Sequence, residues 1–166
     1  MTIIRKLAVL LSTGFGLGYS RVIPGTVGTL PGIALAGAVQ AAGRYLGCEI
    51  PFHITAAAIL SLLSVPICDA GEKATGYKDP HCVVADEYLT FPIVMIGLPF
   101  SPLMVAVAFV THRVCDIIKP FPAYRLQRLP GGWGITVDDV ISSLYALALN
   151  HIAFRILIHY GFMGPA

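Results

Sequence analysis

The chain has 166 residues, of which 56% are hydrophobic and only 12% charged, with a formal net charge of +2. Its mean hydropathy is +0.78. Soluble domains carry about 45–50% apolar and about 25% charged residues, so this composition excludes intrinsic disorder and leaves too little polar surface for an ordinary soluble globule. The weak positive charge gives no footprint for nucleic acid. The length suits one domain spanning residues 1–166, embedded in a membrane or lying on one.

In chain order, long uncharged runs alternate with short polar islands. Arg5-Lys6 precedes the uncharged run 7–20. Its start has the texture of a secretory leader, but no small-x-small cleavage site follows, so the segment is expected to stay attached. The run 22–43 is uncharged and rich in Gly and Pro, with a helix expected to start near Thr29-Leu30-Pro31. The run 50–68 comes closest to the about 20 apolar residues that a spanning helix needs. Pro92, Pro99 and Pro102 cut the run 88–111. It reads as two helices, about 83–97 and 102–117, the second opened by Ser101 as N-cap and Pro102 at the first helical position. The run 140–154 is uncharged before Arg155. No useful strand-like alternation occurs, and the expected class is all-α, a compact multi-helix bundle.

Cys48, Cys68, Cys82 and Cys115 form no C-x-x-C pair and have no zinc-site spacing. They are expected to be buried packing thiols. His53, His81, His112, His151 and His159 are scattered and read as internally satisfied or surface groups. No Cys is followed by Arg six positions later, no Asp-x-Asp-x-Thr/Val occurs, and His-Glu-x-x-His is absent. These absences exclude a cysteine-phosphatase loop, an aspartyl-phosphate phosphatase of the haloacid type and a zincin.

The nine acidic residues are placed informatively. Asp86-Glu87 interrupts Val83-Val84-Ala85 and Tyr88-Leu89, Asp116 lies between Cys115 and Ile117, and Asp138-Asp139 follows Gly131-Gly132-Trp133-Gly134-Ile135. Carboxylates beside hydrocarbon are costly unless they are compensated. Convergence on Mg²⁺, which takes hard oxygen ligands, would compensate them. Structural readings compete: Asp138 as an N-cap with Asp139 in the first turn, Asp116 pairing with Arg113 or accepting from His112, and Asp86-Glu87 at a solvated corner. Adjacent acids on a helix point about 100° apart, so one member of each pair would serve as a supporting group or a base. Arg113, Lys119, Arg125 and Arg128 form a basic cluster, with Lys73 and Lys78 near Asp79. Such residues suit phosphate or an anionic membrane edge, or they simply set topology. Pro24-Gly25-Thr26-Val27-Gly28-Thr29 offers small residues and hydroxyls near a helix start, the setting of a phosphate cradle or of a plain turn. It is not a Walker A loop.

Four stretches, in order, resemble the bacterial phosphatidylglycerophosphatase A family. They are Gly14–Gly32; Lys78–Glu87, read as Lys-Asp-Pro-x-x-Val-Val-x-Asp-Glu; Arg113–Pro122, read as Arg-x-x-Asp-Ile-x-Lys-Pro-x-Pro; and Gly131–Asp139, read as Gly-Gly-Trp-Gly-Ile-x-x-Asp-Asp. The resemblance implies an all-helical, Mg²⁺-dependent phosphatase of the inner membrane that removes the terminal phosphate of phosphatidylglycerophosphate, an anionic phospholipid. The family's acidic positions match Asp79, Asp86, Glu87, Asp116, Asp138 and Asp139, and its basic positions match Lys78, Arg113 and Lys119. The chain departs from the family at Val114-Cys115, Leu89-Thr90 and Ala85, all beside the acids rather than on them.

On this reading Asp86, Glu87, Asp116, Asp138 and Asp139 hold Mg²⁺, and Glu87 or Asp79 acts as base. Arg113 and Lys119 offset developing charge, while Gly25, Thr26, Gly28, Thr29 and Lys78 bind phosphate. Two other classes would fit intramembrane acids: a non-catalytic protein that uses them for packing, and an ion or proton pathway.

Overall fold

The computed structural model describes residues 3–21 and 23–164, without the side chains of residues 3–5. The described residues form seven α-helices and two 3-10 turns, with no strand among them. The helices are α1 (Ile3–Ser12), α2 (Pro24–Tyr45), α3 (Glu49–Thr75), α4 (Ala85–Thr90), α5 (Pro102–Ile118), α6 (Ala123–Leu126) and α7 (Gly132–His159). The all-α expectation holds.

Several expected boundaries move. Helix α2 starts at Pro24 rather than near Thr29. Proline fits the first turn, where its missing N–H leaves no bond unmade. The segment Pro24–Thr29 is therefore helix and not a loop. Helix α7 starts at Gly132, so Asp138 and Asp139 lie beyond its first turn and cap nothing. The cap position is Gly131, whose φ of 59° and ψ of −151° suit only glycine. The run 50–68 is absorbed into the longer α3. The expected helix 83–97 is instead the six-residue α4, continued by a 3-10 turn over Phe91–Met95. Pro92 cannot donate the bond that would carry the α-helix onward. The second expected helix is observed as α5, with the Ser101 hydroxyl accepting from the Met104 N–H at 3.2 Å.

Residues 83–95 are all buried and form the centre of the molecule, packed among α2, α3, α5 and α7. A buried segment of irregular backbone leaves carbonyls without ladder partners. Side chains from the surrounding helices supply donors. The His53 ring lies 2.9 Å from the Pro92 carbonyl, and Asn150 Nδ2 donates to the Val94 carbonyl at 3.0 Å. His151 lies 3.0 Å from the Ile96 carbonyl, and Gln40 donates to that of Leu98 at 2.8 Å. Close approach of α2 to this segment depends on glycine. A Cβ at Gly28 would stand 2.5 Å from Val84 Cβ, and one at Gly32 would stand 2.6 Å from Phe91 Cβ.

Helices α3 and α7 are long and apolar enough to cross a membrane. At 27 and 28 residues each runs about 40 Å, against a hydrocarbon core of about 30 Å. Only 22% of the apolar window of each is buried, whereas the core helix of a soluble protein would be mostly covered. Leu62, Leu63, Leu144, Leu149 and Ile152 face outward. A lipid surface is the solvent that such faces suit.

All four cysteines are free thiols. Cys68 and Cys115 are buried as expected, but Cys48 is exposed beside the start of α3 and Cys82 is only half-buried. The burial expected of those two is not met, because both sit in connections rather than on helix core faces.

Candidate active site

Three acidic islands that are far apart in sequence meet at one end of the bundle. Asp86 and Glu87 occupy the first turn of α4, Asp116 the last turn of α5, and Asp138 and Asp139 the second turn of α7. All five are buried, Asp138 and Asp139 to within 2% of full coverage. The solvated-corner reading of Asp86-Glu87 is thereby excluded.

The cations reach them from α5. Arg113 Nη1 lies 2.9 Å from Asp116 Oδ2 and 3.2 Å from Glu87 Oε2, though neither approach is aligned along an N–H. The i,i+3 pairing expected for Asp116 is present. His112 does not reach it: its ring nitrogens have no hydrogen-bond partner. Lys119 caps α5 in the left-handed region, at φ 48°, and pairs with Asp138 at 2.5 Å. Backbone strain of this kind is kept where a side chain must be aimed.

The adjacent acids diverge as helix geometry requires. Glu87 turns toward α2 and α5. Its Oε2 lies 3.1 Å from the Thr29 hydroxyl, which also reaches the Gly25 carbonyl at 2.8 Å. Asp86 turns the other way, where Asp138 and Asp116 act on it electrostatically. Asp139 lies within hydrogen-bonding reach of Asp116. Five buried carboxyls thus face two cations, which leaves three negative charges uncompensated if all ionise. The effect is visible in their proton affinities. Burial, then the charges of Glu87, Asp138 and Asp116, push the Asp86 carboxyl well above its ordinary range. Burial raises Glu87 to about 7 even with Arg113 beside it.

Asp86 Oδ1, Asp138 Oδ1 and Asp139 Oδ2 are buried and accept no hydrogen bond. Orphaned hard oxygens in a net-negative pocket are the donor type that a divalent cation takes. Among the described residues no three His, Cys, Asp or Glu side chains are already drawn together as a metal-holding group, so the donors converge on a region rather than a point.

The remaining candidates are placed less centrally. Gly25 lies against Glu87 and Arg113, where any Cβ would collide with both side chains. Thr26 is half-buried on the same helical turn, whereas Gly28 packs on Val84. Lys78 and Asp79 are exposed in the loop before α4, Asp79 with φ 47°, and the charge of Asp79 is felt at Asp86 and Asp138. Sequence reasoning missed Thr29 as a partner of Glu87 and missed the buried polar residues that extend the stripe of α7 beyond Asp139: Ser142, Ser143 and Asn150. The signal was present as uncharged polar residues at i+3, i+4 and i+11 from Asp139 within an apolar run.

These features define an all-helical protein with two long apolar helices and a buried acidic centre beside basic side chains. The profile of the family described as phosphatidylglycerophosphatase A matches residues 10–154. The phosphatidylglycerophosphatase A of Haemophilus influenzae is 35% identical over 140 residues, 83% of each chain. That of Escherichia coli K12 is 30% identical over 144 residues, 84% of this chain and 79% of its own. A Bacteroides thetaiotaomicron protein bearing the provisional name phosphatidylinositol-3-phosphatase is 33% identical over 155 residues, 89% of this chain and 93% of its own. No solved structure matches the chain. The chain belongs to the phosphatidylglycerophosphatase A family.

Proposed function

We propose that this protein is a Mg²⁺-dependent lipid phosphatase. It hydrolyses the terminal phosphomonoester of phosphatidylglycerophosphate to phosphatidylglycerol and phosphate at the bacterial inner membrane. Family membership supports the reaction, and the observation that carries the site is the imbalance of five buried carboxyls against two cations. Packing alone would not favour such an excess, since unpaired buried charge costs stability. A proton pathway would not call for Arg113 and Lys119 beside the acids.

Asp86, Asp138 and Asp139 would hold Mg²⁺ through their free oxygens, with Asp116 beside them. When bound, the ion polarises the phosphoryl group and makes attached water more acidic. Glu87, poised near neutrality, accepts a proton from the attacking water. The water oxygen bonds to phosphorus, the ester P–O bond breaks, and the departing glycerol oxygen takes back the proton that Glu87 accepted. Arg113 and Lys119 stabilise charge on the equatorial phosphate oxygens, with Lys78 and Asp79 at the mouth. The helical turn Gly25–Thr29 contributes by leaving space at Gly25 and by fixing Glu87 through Thr29.

Orientation follows from the distribution of charge. Lys73, Lys78, Arg113, Lys119, Arg125 and Arg128 gather at the site end, while Arg44 and Arg155 lie toward the other ends of α2 and α7. Such a bias suits a site that faces the cytoplasm. An apolar groove lined by Leu11, Phe15, Leu35, Leu60, Tyr88 and Leu89 runs beside α4 and suits an acyl chain. The test is phosphate release from phosphatidylglycerophosphate in detergent by the purified protein, with Mg²⁺ and with EDTA. Release with Mg²⁺ and none with EDTA is expected; release that EDTA leaves untouched would refute the metal, and no release would refute the reaction.

A further inference from the structure

One turn inside the acids lies a second polar layer that the proposed chemistry does not use. His112 precedes Asp116 by four residues on α5, and Ser142 and Ser143 follow Asp139 by three and four on α7. All three are fully buried. Neither ring nitrogen of His112 and neither serine hydroxyl has a hydrogen-bond partner. Asp116 and Asp139 face each other across the two helices on one side of this layer. On the other, Thr111 Oγ1 donates to Asn150 Oδ1 at 2.5 Å.

The serines are unusual within this protein. Thr29, Ser61, Thr90 and Thr111 each turn the hydroxyl back to the carbonyl four residues earlier, the usual outlet for a hydroxyl in a helix. Ser142 and Ser143 do not. The one described aromatic contact of His112 is edge-to-face with Phe91 at 5.5 Å, and it satisfies neither nitrogen. A fully buried imidazole and two hydroxyls without partners each carry a desolvation penalty that a core does not keep without return. Buried polar groups of this kind are commonly joined by internal water. Asp139 Oδ2, one turn before the serines on α7, is likewise buried and open.

We propose that His112 is a positioning residue for the Asp116–Asp139 pair. With Ser142 and Ser143 it forms a hydrogen-bonding layer, bridged by internal water, that orients those two carboxyls toward the cation. This rests on the Mg²⁺ reading above and assigns the site its outer support, the role that carboxylate-orienting partners play around metals.

The test compares wild type with His112→Leu, His112→Asn, His112→Gln and Ser143→Ala. Two quantities are read in detergent: Mg²⁺-induced thermal stabilisation without substrate, and the Mg²⁺ concentration giving half-maximal phosphate release. His112→Leu should raise both Mg²⁺ midpoints by about 10-fold or more, the range seen when outer-shell partners are lost. One of the two amide variants, which place a donor where Nδ1 or Nε2 stood, should recover most of the loss. Ser143→Ala, a small change that keeps the fold, should shift both midpoints in the same direction by a smaller factor. A folded His112→Leu protein with both midpoints within twofold of wild type overturns the proposal. So does Ser143→Ala without any shift where the leucine variant does not fold. If wild type itself shows neither Mg²⁺ stabilisation nor Mg²⁺-dependent release, the underlying reading falls and this proposal falls with it.

Discussion

Replacing Glu87 by Gln removes one ionisable group from the acidic centre while keeping its shape and its contact with Thr29. Burial lifts this carboxyl from an ordinary 4.5 to about 7 in the folded protein, with the Arg113 guanidinium only partly opposing the effect. The folded state therefore holds its proton over a range where the unfolded chain has lost it. Stability that is full below pH 4.5 falls as the pH rises toward 7 and is flat above. The span is about 2.5 pH units at 1.36 kcal/mol each, so wild type should lose about 3 kcal/mol through this group. The Gln variant should lack that component. In EDTA, denaturant unfolding of the two proteins in the same detergent should give curves that separate between pH 5 and pH 7, with the variant the more stable at pH 8. Phosphate release by the variant should fall at least 100-fold if Glu87 is the base. Parallel stability curves across that range would refute the argument that Glu87 is buried against its own charge.

Other expectations follow from the same geometry. Asp86→Asn and Asp138→Asn should each lower phosphate release at least 100-fold while leaving the helical circular dichroism spectrum intact. Lys119→Met strips Asp138 of its partner and should lower both kcat and stability, the latter by about 3 kcal/mol, read by thermal and denaturant unfolding. Gly28→Ala drives a methyl into Val84 and should cost about 1–3 kcal/mol of unfolding free energy. Asn150→Leu leaves the Val94 carbonyl unpaired at the centre of the fold and should destabilise by about 1–3 kcal/mol, with Mg²⁺ dependence unchanged.

The sequence made the acids and their basic neighbours legible because charge is scarce in this chain and each charged residue stands out against hydrocarbon. It also marked α5 correctly, since Ser101-Pro102 is a start signal that acts through local backbone chemistry alone. What it hid depends on tertiary context. The Pro24–Thr29 segment looks like a loop from its glycines, yet those glycines serve helix packing against α4 and an open space beside Glu87. Asp138 looks like a cap because no local cue shows that α7 already began at Gly132, behind a glycine whose conformation is the true stop. The central segment 83–95 looks like one apolar helix. Its break at Phe91 is tolerated because His53 and Asn150, far away in sequence, bring hydrogen bonds to its carbonyls.

That last point separates two kinds of buried polarity. Around the 3-10 turn, the ring of His53, the amide nitrogens of Gln40 and Asn150 and the ring of His151 each meet a carbonyl at 2.8–3.0 Å. These contacts complete the fold and would be worth keeping in any protein of this shape. At the other pole, Asp86, Asp138 and Asp139 each leave an oxygen unpaired, and like charges face one another across α4, α5 and α7. No arrangement of this kind improves folding by itself; a leucine or an asparagine at these positions would leave less charge uncompensated. A chain that brings a donor to each of these four carbonyls, yet gathers unmet carboxylate oxygens in one pocket, has traded stability for a ligand of opposite charge. The same contrast distinguishes the phosphatase from a packing role for the acids. Removing a clamp such as Asn150 should weaken the fold without touching the metal response. Removing an acid that has no cation partner, as in Asp86→Asn, should do the reverse, strengthening the metal-free fold while abolishing turnover.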